Sequence, residues 1–115
     1  MQTHWKNAAP QPPFYAVVFV SIKREDLEGY QAMDELMMTE AQKQPGYLGY
    51  SSAGQGKGGI FISYWQDQNC IENWRQHAGH MQAKGQATRW YQYFHTLICE
   101  VKSHREFLSE SKFLG

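Results

Sequence analysis

Two cysteines, Cys70 and Cys99, are all this chain contains, and neither sits in a CxxC or Cys/His spacing. That excludes a disulfide framework and gives no sign of a structural zinc site, so free thiols and no bound metal are expected. Charge of either sign is also not in excess. Eleven Lys and Arg balance eleven Asp and Glu, so no basic field exists to attract a nucleic-acid backbone or an anionic membrane surface. No apolar run approaches the roughly 18 residues that cross a bilayer, and the opening MQTHWKNAAPQPP lacks the charged-then-apolar pattern of a signal peptide. The expectation is a cytoplasmic protein with neither nucleic acid nor membrane as partner.

What the chain does have is rings. Its 115 residues are 42% hydrophobic and 15% aromatic, enough for one small core and too apolar for a disordered tail. Residues 1–13 carry Pro10, Pro12 and Pro13 without periodicity, which predicts a flexible or extended arm. The domain is expected over 14–106, with a polar tail over 107–115.

Phe14-Tyr-Ala-Val-Val-Phe-Val-Ser-Ile22 is dense in β-branched and aromatic residues and predicts a strand covered on both faces. Leu27, Tyr30, Met33, Met37 and Ala41 then recur at helical spacing, predicting a helix over 25–43 that ends at Gln44-Pro45-Gly46. Tyr47–Ala53 and Ile60–Trp65 predict two further strands, the second with Ile60, Ile62 and Tyr64 on one face and Phe61, Ser63 and Trp65 on the other. The Gly54-Gln-Gly-Lys-Gly-Gly59 stretch between them lacks GKS or GKT and precedes a strand, so it predicts a hairpin turn rather than a phosphate loop. Asp67 is a plausible N-cap for a second helix striped by Ile71, Trp74, Ala78 and Met81. Helix is expected to resume over 88–93, and a last strand to run over 96–102. The order β-α-β-β-α-β predicts an α+β, ferredoxin-like fold with both helices on one face of an antiparallel sheet. Apolar residues on both strand faces then require a second cover, and two sheets face to face make a dimeric α+β barrel, a homodimer.

The SYW strand end at 63–65, the WxxHxxH of Trp74, His77 and His80, the GxxxRWY of 85–91 and the PGYLG turn of 45–49 together resemble the antibiotic biosynthesis monooxygenase superfamily. The resemblance spans roughly residues 15–106. It implies a dimeric barrel whose relatives include cofactor-independent oxygenases of aromatic compounds, quinol oxygenases and haem-degrading enzymes, with a pocket between helices and sheet. By that resemblance Trp74, Tyr64 and Trp90 are placed as substrate-binding and His80 and His77 as catalytic. In a cofactor-free oxygenase the substrate's own anion reduces oxygen, so the protein supplies a base, for which imidazole is suited, and a dry aromatic cavity.

Other readings of the same residues stand beside this one. His77 and His80 also have the spacing of a metal pair, but no HExxH glutamate or third acidic ligand accompanies them. Trp74 on an apolar stripe is equally a core residue, and His77 between polar neighbours is equally a surface or dimer contact. The expected function is a cofactor-independent monooxygenase acting on a small aromatic or quinone-like compound. The alternative is a small-ligand-binding dimeric barrel without turnover. A third, haem binding or degradation, is opposed by the missing Asn on the first strand and by Lys84 standing three turns after Trp74, where those enzymes carry the iron-ligating His.

Overall fold

The computed structural model describes residues 1–81 and 86–109, without the side chains of His80, Met81, Gln86 and Ala87. The elements are β1 (His4–Trp5), β2 (Phe14–Lys23), α1 (Tyr30–Gln42), β3 (Tyr47–Gln55), β4 (Gly58–Trp65), α2 (Gln68–Met81), α3 (Gln86–Trp90) and β5 (Tyr91–Val101). The five strands form one antiparallel sheet in the order β1-β3-β4-β2-β5. Without the short edge strand β1, this is the ferredoxin-like α+β fold that the β-α-β-β-α-β order predicts. Of the residues before β2, His4 and Trp5 pair with Tyr50 and Gly49 at the sheet edge.

The largest shifts of boundary from the sequence reading have identifiable backbone causes. The first helix begins at Tyr30 rather than near 25, because Gly29 takes a left-handed φ of 82° and the preceding residues close a turn in which Glu28 N donates to Asp26 Oδ1. Helical periodicity does not register such a turn. The third helix stops at Trp90, where the chain passes into β5 five residues earlier than expected. Arg24 N donates to Trp90 O at 2.8 Å, and Ile22 and Lys23 face Tyr93 and Tyr91 across the ladder. Because β2 runs on to Lys23, backbone partners are available for the aromatic segment, and strand wins over helix there.

The hairpin turns on Gly56-Lys57 between Gln55 and Gly58, with Gly56 at φ 59°, the positive φ that a two-residue hairpin loop needs at its first position. Asp67 caps α2: its Oδ1 accepts the Cys70 N–H at 2.9 Å, which pulls the Asp67 carboxyl below its usual range. Where α1 returns to the sheet, Gly46 has φ 83°, and a Cβ there would come within 2.3 Å of Cys70 Sγ. Only glycine satisfies both conditions.

Alternation sorts the sheet residues. Phe19, Phe61, Ser63 and Trp65 point to the helices, and Ala16, Val18, Ile62 and Tyr64 point away. The helix side holds the core, built from Ala41, Tyr47, Trp65 and Ile71 with Trp74 packed on it. Trp65 is fully buried, and its indole N–H donates to Ser63 Oγ at 2.8 Å.

Candidate active site

Between α1 and the sheet lies a cavity of about 420 Å³. Its body is apolar: Met33, Met37 and Met38 project from α1 toward Phe19 and Phe61 of the sheet, with Trp74, Trp90 and Tyr91 closing the sides. The methionines are what the helical stripe supplied, and the rings come from alternate positions of β2 and β4. Such a wall suits a flat aromatic ligand, since thioethers and ring faces adapt to a π-surface.

The other end is polar. Ser21, Lys23, Tyr30, Asp34 and Tyr91 meet there. Lys23 Nζ stands 5.4 Å from the centroid of the Tyr30 ring, and Tyr91 Oη donates to Tyr30 Oη at 3.3 Å. Burial pushes the Tyr91 phenol upward, with the Tyr30 bond and the Asp34 charge acting in the same direction. Burial likewise raises the Asp34 carboxyl, opposed by the Lys23 ammonium. Tyr47, deeper in the wall, is pushed up to about 12 by burial. Both phenols therefore stay protonated at neutral pH and serve as hydrogen-bond donors.

The residues expected at the site are only partly brought together. Trp74 and Trp90 line the cavity, and Trp90 is fixed by its indole N–H donating to Glu28 O at 2.9 Å. Tyr64 does not line it. One residue before Trp65 on β4, it faces the opposite side of the sheet, where its ring lies 4.9 Å from Trp5 and its hydroxyl shares a hydrogen bond of 2.8 Å with Ser51 Oγ. His77 does not line the cavity either. Its ring stands 6.0 Å from that of Trp74, and its Nε2, buried without a hydrogen-bond partner, lies 3.8 Å from Glu40 Oε1 on α1, a neighbour 37 positions away that helical spacing could not reveal. The His80 side chain lies outside the described residues.

Sequence reasoning missed Ser21, Lys23 and Asp34. A signal for Asp34 existed: Tyr30, Met33, Asp34 and Met37 share one face of α1, so a carboxylate interrupts the apolar stripe. Nothing in the sequence places Lys23 opposite it.

Residues 13–86 match the antibiotic biosynthesis monooxygenase family. The chain belongs to this family. The uncharacterized protein YqjZ of Bacillus subtilis is 39% identical over 103 residues, 88% of this chain and 90% of that protein. Among solved structures, SnoaB, a cofactor-independent oxygenase from Streptomyces nogalater, superposes with a TM-score of 0.66 at 11% identity, covering 86% of this chain and all of SnoaB. Protein SO0527 from Shewanella oneidensis gives 0.65 at 10% identity, covering 87% and 97%. At such identities the structures share the fold alone.

None of the described lining residues is a His or Cys, and no grouping of three or more His, Cys, Asp or Glu that could hold a metal occurs among the described residues. No step through haem or metal is derived. No helix among the described residues is long and apolar enough to cross a membrane.

Proposed function

We propose that this family member is a cofactor-independent monooxygenase acting on a small aromatic or quinone-like compound held in the cavity between α1 and the sheet. The observation that carries this is the cavity itself: a hollow of about 420 Å³ walled by Trp74, Trp90, Phe19, Phe61 and three methionines, where a non-binding barrel would be packed solid. In such chemistry the substrate anion supplies the electrons to dioxygen. For a methylene oxidised to a carbonyl, one oxygen atom enters the substrate, and the other leaves as water with the two hydrogens given up. The wall excludes bulk water from the anion and orients the ring. For the proton acceptor we take an α2 imidazole, and because His77 does not line the cavity, the assignment falls on His80.

Oxygen uptake with a panel of anthrones and quinols tests the reading. The wild type consumes oxygen; His80→Ala lowers the rate by at least about a hundredfold, the usual size of a lost general base, and His77→Ala stays within about twofold. An unchanged His80→Ala rate removes the imidazole. Tight binding without uptake makes the protein a ligand-binding barrel.

The working form in this proposal is a homodimer. On the sheet face away from the helices Ile22, Ile60, Tyr93 and Leu97 are 40%, 46%, 49% and 37% exposed, on the adjacent strands β4, β2 and β5, where Ile22 pairs with Tyr93, Val20 with Ile60 and Val18 with Leu97. A contiguous apolar face of this kind is covered in a stable protein, and a second copy of the same sheet matches it by symmetry.

A further inference from the structure

The polar end of the cavity carries groups that the proposed oxygenase chemistry above leaves unused. Lys23 and Ser21 point to the helix side of β2 from alternate positions, and a Cβ built on Gly59 would lie 3.9 Å from both Lys23 Nζ and Ser21 Oγ. Glycine at that position on β4 thus leaves an open strip on which an ammonium and a hydroxyl converge. Ser21 is buried at 6% exposure. Among the described residues Lys23 has no carboxylate within 4 Å; its contact is the face of Tyr30, which holds the ammonium in place without neutralising it. Asp34 lines the same cavity from α1, with a charge that Lys23 counteracts. The site therefore presents one donor cluster and one acceptor on opposite walls of a cavity mouth, with no net charge.

We propose that Lys23 and Ser21, opposed by Asp34, form a specificity site for a neutral hydroxyl on the aromatic ligand. A hydroxyl is both acceptor and donor: its oxygen accepts from Lys23 Nζ and Ser21 Oγ while its hydrogen is donated to Asp34. A carboxylate has no hydrogen to donate and meets Asp34 as a like charge; an unsubstituted arene leaves the ammonium desolvated and unpaired. The site thus selects phenols and enols over both aromatic acids and plain hydrocarbons. This rests on the reading that the cavity holds an aromatic compound.

Three probes of nearly equal size separate the two ideas: 1-naphthol, 1-methylnaphthalene and 1-naphthoate, with dissociation constants read by quenching of tryptophan fluorescence at neutral pH. The wild type should bind 1-naphthol at least about tenfold more tightly than 1-methylnaphthalene, the worth of a hydrogen bond to a charged group. Lys23→Met should reduce that preference to about twofold while binding 1-methylnaphthalene at least as tightly as the wild type, which also shows that the variant is folded. Asp34→Asn should tighten 1-naphthoate about tenfold by removing the opposing charge. Equal binding of all three probes by the wild type, or a preference that survives Lys23→Met, overturns the hydroxyl site and leaves the aromatic cavity standing. Failure of both 1-naphthol and 1-methylnaphthalene to bind overturns the cavity reading and the site together.

Discussion

Trp65 shows how far a single residue's role can be read before the fold is known. Its place at a strand end suggests packing, and in the fold it is fully buried, stacked 6.0 Å from Trp74 and edge-on to Tyr47 at 5.4 Å. It supports the cavity wall from behind. Trp65→Ala should cost about 3–5 kcal/mol, the range for emptying a large aromatic site in a core, measured by urea unfolding. Asp34 gives the opposite kind of prediction, because burial raises its carboxyl pKa above the ordinary 3.8. A carboxyl with a raised folded pKa contributes full stability below its unfolded pKa and loses it as pH rises through the folded value. Asp34→Asn and wild type should therefore be equally stable below about pH 4. The variant should gain relative to wild type as pH rises from there toward neutrality. Parallel stability curves across that window would show that the fold leaves the Asp34 carboxyl at its ordinary pKa.

At the scale of elements, amphipathic periodicity located both long helices, and glycine chemistry located the hairpin, since each depends on a few neighbouring residues. Boundaries moved where backbone partners came from afar. The extension of β5 to Tyr91 depends on β2 lying beside it, and the late start of α1 on the left-handed Gly29. Alternation along β4 already separated Tyr64 from Phe61 and Trp65; the sheet's closure by helices on one side decided which set meets the cavity. Strand β5 is the edge that this arrangement leaves uncovered. Phe94 and Ile98 on its helix side are 45% and 44% exposed, like Tyr93 and Leu97 on its other side. Leu97→Glu, which places a charge in that apolar face, should convert a dimer to a monomer in sedimentation velocity at micromolar concentration. A wild type that sediments as a monomer contradicts the proposed assembly outright.

For the whole molecule, the dimensions agree with an incomplete barrel. The radius of gyration is 15.5 Å, against about 13 Å for a compact domain of this length. The shortest extent is 21 Å, roughly the thickness of one sheet and one layer of helices. A two-layer slab of this kind has one core, between its layers, and an outer sheet face whose apolar residues need another surface. Neutral net charge offers no repulsion against a second copy.

The sequence by itself determined the antiparallel α+β order, the cap at Asp67 and a hairpin within Gly54–Gly59, and its family motifs implied a pocket near Trp74 and Trp90. All of these follow from spacing within one element or from residue motifs. Only the tertiary structure decided that Tyr64 turns away, that His77 lies off the cavity wall beside Glu40, and that Ser21 and Lys23 of one strand line a cavity with Asp34 of a helix. Those are contacts between elements far apart in the chain, set by register, sheet order and the angle at which α1 crosses the sheet, none of which local periodicity encodes.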